Sequence, residues 1–206
     1  AARDFFPTDD DKSFILILDD APGQALTVHM ARPQLALTLD QKWRVAKDLL
    51  AALAHAHHHG VVHRNLTPGA ILIGQDGTTR ITDFDFAKPG VDRSLTIATD
   101  IVDLVEKAYV APEAFREPGA ASSASDIFSA GVILYELFTG ERPFAGEPTT
   151  VWDRAGEFLN KPSALRPELN EAFDAWLQSL CAFDEHQRLT ASAALAASPA
   201  IVPPVA

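Results

Sequence analysis

Cysteine occurs once in 206 residues, at Cys181, so no disulfide can form within the chain. That thiol lies in an apolar helical pattern and is expected to be buried and inert, and a chain without disulfides is expected in a reducing cytoplasm. No apolar run approaches the ~18 residues of a membrane span. The opening segment AARDFFPTDDDK has neither the basic start nor the apolar stretch of a signal peptide. Cations are scarce: 17 Lys and Arg against 28 Asp and Glu give a net charge of -11. Such a surface repels phosphate backbones, which argues against direct nucleic-acid binding and attachment to anionic membranes. What is plentiful is apolar: 47% of residues, enough to fill the core of one domain or one large lobe.

The apolar residues fall into readable periods. Arg3–Thr8 and Ser13–Leu18 read as two strands around the acidic turn Asp9-Asp10-Asp11-Lys12, which is a solvated turn rather than a calcium loop because it lacks spaced ligands and a loop glycine. A short helix is predicted from Leu26 to before Pro33. Thr38-Leu39-Asp40-Gln41 has the form of a capping box, and Val45, Ala46, Leu49, Leu50, Leu53 and Ala56 follow at helical spacing until Gly60. Ala70–Ile73 and Thr79–Thr82 flank Asp76-Gly77 as a hairpin. Residues 86–110 show no period and read as a long loop. DIFSAGVILYELF is apolar nearly all round and predicts a buried central helix. Weaker helices are expected near Thr149–Leu159, Glu168–Ala182 and Thr190–Ala197. Trp43, Trp152 and Trp176 all sit in such patterns as packing residues.

Three short motifs stand in a fixed order. His63-Arg64-Asn65-Leu66-Thr67-Pro68-Gly69-Ala70 is followed by Asp83-Phe84-Asp85 and then Ala111-Pro112-Glu113. Together they resemble the H-R-D-L-x-x-x-N, D-F-G and A-P-E segments of the protein kinases, Ser/Thr type. The resemblance runs from about residue 3 to 197. It implies an α+β fold: a mostly helical large lobe over residues 26–198, preceded by a β-hairpin remnant of the small lobe (1–18) and a hinge-like linker (19–25). A Pro-rich tail follows (199–206). A chain that begins mid-fold is expected of an excerpt from a longer polypeptide.

The resemblance also implies roles, and at several positions the residue cannot fill the role. The loop aspartate that handles the substrate hydroxyl's proton is Asn65, and an amide has no useful basicity. Thr67 stands where a phosphate-neutralising lysine is common. Ala70 replaces the asparagine that ligates the second Mg²⁺, and a methyl has no lone pair. No Gly-rich phosphate loop and no strand lysine of the V-A-I-K type is present. Asp83 is kept as a metal ligand, with Asp85, in place of glycine, as a candidate second one. Leu18, Asp19 and Ala21 are the hinge-like positions toward a nucleotide. His63, Arg64, Glu113, Asp126 and Arg188 are expected as framework, with Glu113 and Arg188 forming an ion pair.

The expectation is therefore a catalytically inactive pseudokinase that scaffolds or regulates attached domains or protein partners. Two alternatives stay open: a divergent active Ser/Thr kinase using ATP and Mg²⁺, and a switch that binds nucleotide without turnover. His55 and His59 have metal-ligand spacing but no partnering motif, and His57 and His58 are expected to solvate or cap a helix end.

Overall fold

The computed structural model describes residues 2–7, 14–18, 22–84, 88–89, 107–144 and 157–199. Strands β1 (Ala2–Pro7) and β2 (Phe14–Leu18) pair antiparallel, Phe5 opposite Leu16. β3 (Gln24–Ala25) leads directly into α1 (Leu26–Ala31), which stops before Pro33 as proline geometry requires. α2 (Leu39–His58) starts at the Thr38 capping box: Thr38 Oγ1 accepts from Gln41 N–H, and Gln41 Oε1 accepts from Thr38 N–H. Its apolar stripe, Trp43, Val45, Ala46, Leu49, Leu50 and Leu53, is buried. Gly60, at φ 71°, turns the chain into β4 (Val61–Val62).

β5 (Ile71–Ile73) and β6 (Thr79–Ile81) form the expected hairpin, with Gly77 at φ 76° and the Asp76 carboxylate accepting from both the N–H and the hydroxyl of Thr78. β3 extends it to a three-stranded sheet, and β4 pairs with β7 (Lys88–Pro89).

The remaining α-helices of the described residues follow β7. α3 (Pro112–Arg116) precedes α4 (Ser123–Thr139), which is capped by Ser122 and Ser125 in a reciprocal capping box and ended by Gly140 at φ 81°. α4 is buried from Ser125 through Tyr135 and is the axis of the core. α5 (Pro162–Leu165), α6 (Glu171–Leu180) and α7 (Ala191–Ala196) complete the fold. Trp43 packs against Phe138 at 5.2 Å, Phe173 at 5.5 Å and Trp176 at 5.7 Å, and Trp176 Nε1–H donates to Ala194 O at 2.9 Å. One aromatic cluster thus joins α2, α4, α6 and α7. α4 and α6 touch through a glycine: a Cβ on Gly131 would come within 2.5 Å of Cys181 Sγ. Cys181 is fully buried, and burial pushes its thiol up to about 12, so it is not a nucleophile at neutral pH.

Most of the sequence's periods become the elements they suggest. The helix expected near Thr149–Leu159, Trp152 included, lies outside the described residues up to 156, and its last three positions, 157–159, are not helical.

Candidate functional site

The site is built on one buried carboxylate. Asp126, in the first turn of α4, is 1% exposed. Its Oδ2 accepts from His63 N–H at 2.8 Å and its Oδ1 from Arg64 N–H at 2.8 Å. Oδ2 also meets His57 Nε2 at 2.9 Å. Two backbone amides held by a fixed anion place the 63–70 loop against the core. They also hold Arg64 in a left-handed conformation, φ 71°, which a non-glycine residue keeps only when its surroundings over-determine it. The role of His57 corrects the sequence expectation of a solvated helix end: its ring is 12% exposed and bonded to α4, 69 residues away. His59 does cap the helix, its Nδ1 2.8 Å from His55 O, and His58 is exposed.

His63 is wholly buried. Its Nε2–H donates to Thr82 O at 2.8 Å, which leaves Nδ1 to accept from Asn65 N–H at 3.4 Å. Its ring lies 4.6 Å from that of Phe84. Thr82 N–H donates to Ala70 O at 2.8 Å, so both ends of the loop are tied to the turn that carries Asp83. Asp83 is exposed and left-handed, at φ 59°.

The loop therefore brings Asn65, Thr67, Ala70 and Asp83 onto one scaffold. Asn65 Oδ1 is buried with no hydrogen-bond partner. A cavity of about 10 Å³ lies beside Arg64–Thr67 and Tyr109, space for one water at most. Ala70 is 3% exposed. Asp85, Asp19 and Ala21 lie outside the described residues, as does the side chain of Leu18.

A second network anchors the segment after the long loop. Arg188 Nη1–H and Nη2–H donate to Glu113 Oε1 and Oε2 at 2.6 and 2.8 Å, and Ser125 hydroxyl donates to Glu113 Oε1 at 2.7 Å. The Arg188 side chain is completely buried, donates to the carbonyls of Ala182, Ala124 and Phe183, and lies 5.0 Å over the Phe128 ring. Burial alone would raise the Glu113 carboxyl; the Arg188 and Ser125 bonds outweigh it and hold the group below its ordinary value. Tyr109 hydroxyl donates to Glu136 at 2.6 Å, and Ser129 hydroxyl to Tyr109 O at 2.7 Å, stitching the same segment to α4.

The pattern that defines the protein kinase domain family matches residues 3–198. The chain belongs to the protein kinase family. Among curated relatives it is similar to "Probable serine/threonine-protein kinase PknB" of Lactococcus lactis, 33% identical over 156 residues, which are 75% of this chain and 24% of that protein. Serine/threonine-protein kinase PknL of Mycobacterium tuberculosis is 41% identical over 103 residues, 50% of this chain and 25% of PknL. Serine/threonine-protein kinase 36 of Pongo abelii is 30% identical over 189 residues, 91% of this chain and 14% of that protein. The chain spans about a quarter or less of the length of these relatives.

Within a kinase-family site, ATP with Mg²⁺ is the implied cofactor pair, and the donor set can be tested. Among the described residues no group of three or more His, Cys, Asp or Glu could hold a metal ion. Position 70 offers a buried methyl, which supplies no electron pair. Beside the loop the described residues offer Asp83 as one exposed carboxylate, while the candidate second ligand, Asp85, lies outside the described residues.

Ser125, Tyr109, Glu136 and His57 were not singled out as site residues by the sequence. The signal for His57 was its place three residues before Gly60, one turn from the loop that α4 also anchors.

Proposed function

We propose that this kinase-family chain is the large lobe of a catalytically inactive domain, a pseudokinase that scaffolds or allosterically regulates attached domains or protein partners. The observation that carries the reading is Ala70: its side chain is buried, on a loop otherwise held rigidly by Asp126, at the position where the family presents a metal-ligating asparagine. Asn65 adds to it, since an amide can accept a hydrogen bond but cannot take up the hydroxyl proton. The framework bonds of Asp126, Glu113 and Arg188 remain, so the loop keeps a defined shape without the groups that act on a proton or a second metal.

One observation favours a second reading, a divergent active Ser/Thr kinase. The exposed Asp83 carboxylate sits on left-handed backbone beside a loop whose Asn65 Oδ1 is an unpaired acceptor. Phosphoryl transfer is dominated by positioning and charge stabilisation, so a lost base does not by itself abolish it. A thermal-shift titration of the full-length protein with ATP separates the readings. The pseudokinase reading predicts that Mg²⁺ adds nothing to any ATP-induced stabilisation. A Mg²⁺-dependent gain, about 2.7 kcal/mol at a hundredfold excess over Kd, supports the active reading. A gain with ATP alone marks a nucleotide-binding switch.

A further inference from the structure

A cavity of about 150 Å³ opens between α1, the first turn of α2 and the C-terminal end of α4, and it shares no lining residue with the space beside Arg64–Thr67. One water needs only about 10–15 Å³, so this cavity accepts a side chain. It is lined by His29, Lys42, Glu136 and Arg166, with Met30 and Leu37 supplying an apolar edge. On a chain with a net charge of -11, a pocket with two cations and an imidazole is a local exception.

We propose that this cavity is a docking site for an acidic peptide segment, with an Asp or Glu carboxylate seated against Lys42 and a peptide N–H donated to His29. The polar groups lining it have unfilled capacity. His29 Nδ1–H donates to Leu35 O at 2.9 Å, which leaves Nε2 of the neutral ring as an acceptor, and Nε2 is buried with no partner. Lys42 is half-buried and its ammonium is pushed below its ordinary value, first by burial and then by Arg166, with Glu168 opposing them. A bound carboxylate would relieve the repulsion between those two cations. Arg166 is already fixed, its Nη2–H donating to Thr139 O at 2.7 Å across the end of α4.

The lining also selects among anions. Glu136 faces the same cavity, although its Oε2 accepts from Tyr109. A doubly charged phosphate would meet that carboxylate at greater cost than a singly charged carboxylate would. The proposal rests on none of the catalytic reading: it holds whether or not the protein transfers phosphate.

The test is fluorescence anisotropy of a labelled hexapeptide of alternating Glu and Gly on the full-length protein, with the all-Gln analogue and inorganic phosphate as competitors. Lys42→Gln is expected to weaken the Glu peptide at least tenfold with an unchanged melting temperature, and Lys42→Arg to retain most of the affinity. Undiminished binding to Lys42→Gln, equal competition by the Gln peptide, or no binding by the wild-type protein at millimolar concentration overturns the proposal. Competition by phosphate as strong as by unlabelled Glu peptide overturns the peptide assignment, reducing the cavity to a free-anion site.

Discussion

Replacing Arg188 by methionine removes five hydrogen bonds and one partner of a buried pair while filling part of the space. Glu113 then keeps only Ser125, and the carbonyls of Ala182, Ala124 and Phe183 lose their donor. Breaking a buried pair by deleting one partner costs about 3–5 kcal/mol, because the other charge is left uncompensated. At about 2–4 °C per kcal/mol for a chain of this size, the melting temperature should fall by roughly 6–20 °C. The pH dependence carries the sharper signature. In the wild type the Glu113 carboxyl is held below its ordinary value, so its contribution is present above about pH 4.5, near the unfolded pKa, and is lost as pH falls through the folded value. In Arg188→Met, burial dominates and raises the same group, so protonation favours the folded variant. The stability gap between the two proteins should therefore narrow as pH falls from 7 to 4. Urea denaturation followed by circular dichroism at both pH values measures it. A gap below about 1 kcal/mol at pH 7, or one of equal size at both pH values, would refute the reasoning.

Two further substitutions probe the scaffold. Asp126→Ala leaves the buried N–H groups of His63 and Arg64 without acceptors and should cost about 3–5 kcal/mol, whereas His57→Ala removes one bond and should cost about 1–2 kcal/mol; hydrogen exchange at the two amides should accelerate in the first variant only, and equal effects would contradict the assignment. Gly131→Ala forces a Cβ against Cys181 Sγ and within 2.9 Å of Leu180 Cβ, for about 1–3 kcal/mol of overpacking, and adding Cys181→Ala should restore part of that stability in the same denaturation assay. No recovery would mean that the helix contact is not limiting.

How far the sequence speaks depends on the range of the interaction. The α2 start was readable because the capping box is local: Thr38 and Gln41 are three residues apart and satisfy each other. The burial of α4 was readable because a helix that is apolar on all sides can only be central. Residues joined across long separations were accessible only through resemblance: nothing in the periodicity pairs Glu113 with Arg188, 75 residues apart. Where neither source applied, the reading went wrong or stopped. His57 carries a polar side chain near a helix end, which locally reads as solvated, and only the approach of α4 makes it a partner of Asp126. The Gly131–Cys181 contact and the His29–Lys42 cavity are products of packing with no local signature. Phe158 packs its ring on Tyr135 at 5.0 Å and on Phe144, a tertiary contact that its local apolar pattern does not reveal.

The central claim is that the loop from His63 to Ala70 keeps its shape without catalytic function, and phosphate transfer tests it most directly. Full-length protein is incubated with Mg²⁺, γ-labelled ATP and a general Ser/Thr substrate, beside its Asp83→Ala variant. The account predicts that neither labels itself nor the substrate above background. Incorporation by the wild-type protein that Asp83→Ala abolishes would contradict it.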